Sequence, residues 1–372
     1  MNRISQKLIG YRVKAARESN GLTQDQLTQK LGFNDRQTVS DIENGKRSLK
    51  SDELLQLSDL MGRDIEFFVD PLAVAGEAQF SWRADPEVPE DSLDKFELKA
   101  GQWIGLLRWL REQREGRRSV LKRALRISPQ SSYEDAQERA ESLATELDLG
   151  VLPAENLIDK VERDLDIPIL FVDTIQADDD KSVSGATCHL EEMAVVLINR
   201  NEPEARRYYD LAHELFHALT WDAMRPAHRE SNSTEDRRAA KRIEELANNF
   251  AAALLMPATS IDKLLDRGRS GDIAHLCDIA ALLRVAPVAL GWRLYNLKLI
   301  NEETRKQLSQ ETQRPSVSPA PKRFSPTFVR MLHEALDQGR LSARKAAKAM
   351  GLGLGGLTEL FAQYELAAPF DL

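Results

Sequence analysis

The sequence predicts a mainly helical α+β protein. It has an all-α N-terminal domain, a central domain of helices around a small β-sheet, and a small C-terminal helical unit. Three observations predict this. Apolar residues recur at helical spacing from the start of the chain. The β-rich runs at 167–172 and 194–198 are confined to the middle. A Pro/Ser stretch, Arg314-Pro315-Ser316-Val317-Ser318-Pro319-Ala320-Pro321, sets off the last helical pattern. At 372 residues the chain exceeds what one core usually serves. The expected divisions are 1–70, a connecting helical segment 71–129, a central domain 130–312, an extended linker 313–326 and a helical unit 327–372.

Composition excludes several classes. No run of about eighteen apolar residues exists, so no transmembrane helix is expected, and a membrane partner is not. The start, Met-Asn-Arg-Ile-Ser-Gln-Lys, leads into a charged amphipathic stretch rather than a signal-peptide core. Cys188 and Cys277 stand far apart without metal or disulfide spacing, which fits a cytoplasmic protein. A net charge of −8 argues against non-specific nucleic-acid binding by the whole chain, but not against a local basic face.

In the N-terminal segment, Ile9, Val13 and Ala16 give a first helix that ends at Asn20-Gly21. Thr23 caps a second, with Gln26 in the capping-box position. Leu27 and Leu31 face inward, and Gly32 closes it. A third follows Asn34-Asp35 and runs to Glu43, stopped by Asn44-Gly45. A fourth carries Leu54, Leu57, Leu60 and Met61. Two short helices around a tight turn, the second exposing small polar side chains, suit a DNA major groove. Residues 1–50 hold ten basic and five acidic residues, locally positive inside an acidic chain.

"LTQDQLTQKLG" followed by "TVSDIENGKR" resembles the lambda-repressor-like, XRE-type helix-turn-helix family, over about sixty residues. The turn from Phe33 to Arg36 is one residue longer than the commonest form. The resemblance implies double-stranded operator DNA as partner, with Gln24 at a phosphate, Arg36, Gln37, Thr38 and Ser40 facing bases, and Lys46 and Arg47 at the backbone. Useful affinity from so small a domain implies a homodimer. Asp35 and Asp41 on the reading helix would repel phosphate and favour a protein-docking role instead.

Between 108 and 126 a run of arginines and lysines interleaves with leucines. Its reading is the solvated face of a helix that packs by its Leu stripe.

His213-Glu214-Leu215-Phe216-His217 is H-E-x-x-H, and no Gly or Pro interrupts the surrounding pattern, so it lies on a helix. There the two imidazoles share one side and can bind one Zn²⁺. Zn²⁺ lowers the pKa of a bound water toward about 7, and Glu214 can take its proton and pass it to a leaving amine. A catalytic zinc usually keeps three protein ligands.

"HELFHAL" followed by "EELANNFAAALLMP" resembles the ImmA/IrrE family of zinc metallopeptidases, over roughly residues 130–300. The resemblance implies a zincin-like fold and a glutamate-zincin site. Glu244 would be the third ligand and Asn248 the residue that steadies a histidine. Glu245 lies about 100° away on the helix, so only one of the two can face the metal. The resemblance further implies cleavage of a repressor-like protein or the product of a neighbouring gene. A short sheet beside the helix could hold an extended peptide by strand addition. The alternative is a non-proteolytic transcriptional regulator or antitoxin whose peptidase-like domain senses or docks.

His228, in a charged loop, reads as a surface histidine rather than an oxyanion donor. Tyr208 and Tyr209 read as packing aromatics and Cys188 as a small core residue. The C-terminal helices, around "GRLSARKAAKAMGL", resemble the helical tail of the same relatives. Their glycines favour a lid or docking element over DNA reading.

Overall fold

The computed structural model describes residues 5–72, 74, 76–115, 124–174, 183–229, 237–311 and 319–371. The chain divides into two compact units. One comprises 1–79, 94–118 and 326–372, and the other 80–93 and 119–325.

Short helices open the chain: α1 (Gln6–Ser19), α2 (Gln24–Lys30), α3 (Arg36–Glu43), α4 (Ser51–Met61) and α5 (Ile65–Val69). Each early boundary has a local cause. Ser5 accepts the Leu8 amide at the start of α1. Thr23 and Gln26 form a reciprocal capping box on α2. Asp35 accepts the Gln37 amide at the start of α3. These helices close over Ile9, Val13, Ala16, Leu27, Val39, Ile42, Leu57, Met61 and Phe68. Gly10 lets α1 approach α3: a Cβ there would lie 2.4 Å from the Glu43 carbonyl oxygen.

Next come β1 (Gln79–Ala84) and the long α6 (Glu90–Glu115). Arg108, expected on a solvated face, is instead buried against Glu77 at 3.1 Å, and Glu77 also takes Arg12 at 3.1 Å. A carboxylate sequestered between two guanidiniums explains the reversal. Arg117, Arg118, Lys122 and Arg123 of the same run lie outside the described residues.

The central part contains α7 (Tyr133–Glu146), α8 (Pro153–Asp164), β2 (Ile169–Val172), β3 (Val183–His189), β4 (Ala194–Asn199), α9 (Glu204–Thr220) and α10 (Arg237–Leu255). It continues with α11 (Ala258–Leu264), α12 (Ile273–Leu282), α13 (Pro287–Asn296) and α14 (Glu302–Leu308). The sheet order is β1-β3-β4-β2. β4 runs parallel to β2, with Ile169 opposite Val196, and antiparallel to β3, with Thr187 opposite Val196. One core joins the sheet to the helices through Leu157, Val196, Ile198, Leu215, Phe216, Leu246 and Phe250.

The linker expected at 313–326 lies partly outside the described residues, but its last part is not loose. The Phe324 amide donates to the Phe171 carbonyl at 2.7 Å, and Phe324 is buried. The final helices are α15 (Pro326–Asp337), α16 (Ala343–Met350) and α17 (Leu354–Gln363). They belong to the unit holding the N-terminal helices. There the Trp103 indole N–H donates to the Met350 carbonyl at 3.1 Å. No single helix among the described residues is long and apolar enough to cross a membrane.

Candidate functional site

His213 and His217 lie one helical turn apart on α9, both fully buried, with Nε2 atoms 3.1 Å from each other. Glu244 comes from α10, which packs on α9. Its Oε2 is 3.1 Å from His213 Nε2, and its Oε1 is 3.6 Å from His217 Nε2. The three donors lie within 4.8 Å of one another. A tetrahedral zinc with donors at about 2.0–2.1 Å holds neighbouring donor atoms about 3.3–3.4 Å apart. Two imidazole nitrogens and a carboxylate at these separations fit such an ion. Burial alone would raise the Glu244 carboxyl. The facing His217 and His213 hold it instead well below the usual carboxylate range.

Outer contacts orient these groups. Asn248, one turn after Glu244, places Oδ1 3.1 Å from His213 Nδ1. An oxygen acceptor there puts the proton on Nδ1 and leaves Nε2 its lone pair. The Tyr209 hydroxyl donates to the Asn248 carbonyl at 3.1 Å, so Tyr209 anchors the helix pair rather than merely filling space. Burial pushes its phenol up to about 12. Glu245 turns away and accepts a hydrogen bond from Tyr133.

Glu214 is fully buried, and Thr187 on β3 sits with Oγ1 2.7 Å from its Oε2. Gly185 makes the fit possible: a Cβ there would come within 2.9 Å of the Leu197 carbonyl oxygen and 3.5 Å of Glu214 Cγ. Asp210, one turn ahead of His213, pairs with Arg83 of β1 at 3.1 Å. Burial pushes its carboxyl up to about 6, opposed by Arg83 and Arg206. Sequence reasoning missed Thr187, Asp210 and Arg83, because each acts across elements distant along the chain. His228 is exposed, and Cys188 is buried in β3.

In the N-terminal unit, Arg36 Nε donates to Gln24 Oε1 at 3.0 Å, and Gln24 Nε2 donates to Glu43 at 2.7 Å. Gln37 and Lys46 are exposed, and Thr38 and Ser40 are half-buried on the same short helix or its approach. The two acids of α3 have internal work: Asp35 caps it, and Asp41 accepts from Gln37 at 2.9 Å. Arg47, expected at the DNA backbone, is partly exposed and also serves the fold. Its guanidinium grips Glu53 with two bonds, at 2.6 and 2.9 Å.

Residues 13–68 match the family model for a helix-turn-helix, and residues 162–295 match that for an IrrE N-terminal-like domain. The chain joins a helix-turn-helix domain to an IrrE N-terminal-like domain. A 98-residue stretch is 41% identical to the radiation response metalloprotease IrrE of Deinococcus deserti. It covers 24% of this chain and 34% of that protein, so the match spans about a third of the relative's length. The apo form of the competence regulator ComR from Streptococcus vestibularis overlaps 94% of this chain and 100% of its own, at 11% identity and TM-score 0.17. The apo form of ComR from S. thermophilus overlaps 96% and 94%, at the same identity and score. The IrrE N-terminal-like domain contains α9, α10 and all of β2 to β4, whereas β1 lies outside it. The matched residues include His213, His217 and Glu244, the three donors that could hold a metal ion.

Proposed function

We propose that this chain is a DNA-binding regulator carrying a zinc-dependent endopeptidase, which cuts a repressor-like or neighbouring-gene protein to control transcription. The observation that carries the reading is the meeting of His213, His217 and Glu244 from two helices, with Glu214 beside them. These three residues would hold Zn²⁺, and Asn248 would fix the His213 tautomer. A bound zinc ion supplies Lewis acidity to an attacking water and a scissile carbonyl. Glu214 takes the proton of the water and delivers it to the leaving amine, held in place by Thr187. Arg36, Gln37, Thr38 and Ser40 would read operator bases, with Gln24 and Lys46 at phosphates. A homodimer in the cytoplasm fits a small reading domain and a sequence with only two, widely separated cysteines.

The test compares the full chain with Glu214→Gln and Glu244→Ala, co-expressed with the products of neighbouring genes. Glu214→Gln is expected to keep zinc while cleavage of a partner falls about 100-fold or more. Glu244→Ala loses both. A Glu214→Gln protein that leaves the proteome and the regulated genes unchanged would sink the peptidase and leave a non-proteolytic regulator.

A further inference from the structure

β1 is the unexpected strand. It precedes the matched domain in sequence yet hydrogen-bonds to β3, the strand that lies over Glu214 through Gly185 and Thr187. Its other side is also engaged: the Trp82 amide donates to the His228 carbonyl at 2.9 Å, and the Ser81 hydroxyl donates to the Ala227 carbonyl at 2.8 Å. Because main-chain groups alternate sides along a strand, Ser81 and Arg83 turn theirs toward β3. Arg83 then reaches Asp210, one turn ahead of His213. Most of the groups assigned to the chemistry are closed in: His213, Glu214 and His217 each have 0% exposure, and Glu244 has 19%. An endopeptidase must seat an extended backbone beside its general base, and the strand edge over Glu214 is the surface built for that by strand addition.

We propose that residues 79–84 are a built-in occupant of the β3 edge, standing where a substrate peptide would pair and holding the site back until β1 leaves. This rests on the peptidase reading above. The substrate class is an extended peptide segment that replaces β1 along β3. Both ends of residues 80–93 continue into the unit that holds the helix-turn-helix. A change in that unit therefore has a covalent route to the strand.

The experiment uses the zinc-loaded full chain, wild type and Arg83→Glu, with equal zinc content verified. Two probes are used: a fluorescein-labelled synthetic peptide of residues 77–86, and β-casein. Reversing the charge opposite Asp210 loosens β1, so its amides should exchange faster. A competent state freed from self-occupancy raises apparent affinity in proportion to its population. Arg83→Glu is therefore expected to bind the peptide and to cut β-casein about tenfold better or more than wild type, with Arg83→Lys staying near wild type. Glu214→Gln added to Arg83→Glu should keep peptide binding and lose cleavage. If Arg83→Glu does not fold, Arg83→Ala takes its place, with an effect between those of the other two. Faster exchange in β1 with peptide binding and hydrolysis both unchanged would overturn the proposal. Tighter peptide binding with no cleavage by either protein would sink the peptidase reading and leave the edge assignment standing.

Discussion

Asn248 shows how one side chain sets the character of its neighbour. By accepting from His213 Nδ1 it fixes which imidazole nitrogen faces Glu244. Asn248→Ala should lower zinc affinity about 10- to 100-fold, read by competition with a chromogenic chelator. A value equal to wild type would show that the helix alone orients the ring. Asp210 gives a pH signature. Its carboxyl is held near 6 by burial, against 3.8 for an ordinary aspartate. Between these values the unfolded chain has released a proton that the folded chain retains, so stability falls as pH rises from about 4 to 6 and is level above. The loss is on the order of 3 kcal/mol. Asp210→Asn should lack it. Denaturation midpoints of both proteins from pH 4 to 7 check this, and parallel curves would refute it.

At the scale of elements, the helix-turn-helix is fastened by a buried ion pair. Arg17 Nε lies 2.6 Å from Glu43 Oε1, and Gln24 adds a third element to the same carboxylate. Glu43→Ala leaves the guanidinium buried without its partner and should cost about 3–5 kcal/mol in urea denaturation of the full chain. The apolar double substitution Arg17→Met with Glu43→Leu should recover much of that loss. Legibility in the sequence followed the range of the interactions. The α2 capping box, the Asp35 cap and the spacing of His213 with His217 were readable because their partners lie within four residues. Glu244 was readable only through family resemblance, since nothing local marks it over Glu245. β3 was hidden because all but its last residue are buried, which erases the alternation that marks a half-exposed strand. β1 does alternate, Phe80 and Trp82 against Ser81 and Arg83, but its partner lies about a hundred residues away, beyond any window of pattern reading.

For the whole molecule, an acidic chain presents its cations locally. Arg12, Arg17 and Arg47 are engaged internally, whereas Lys14, Lys30, Arg36, Lys46 and Lys50 are exposed. Operator binding should therefore respond differently to two neighbouring substitutions. Lys46→Ala should weaken binding to all sequences alike and lower the salt slope by about 1. Arg47→Ala should act mainly by destabilising the loop it ties to Glu53. Fluorescence anisotropy against salt concentration, with a melting curve for each protein, separates the two, and equal salt slopes would contradict the assignment. The two units also interleave along the chain: the first needs residues from the beginning, the middle and the end. Dissecting the gene at the Pro/Ser stretch would therefore not yield a trimmed chain with an intact N-terminal unit. It would strip three helices from the very body that carries the DNA reader, and a silent promoter in such a strain would report a damaged reader as readily as a missing tail.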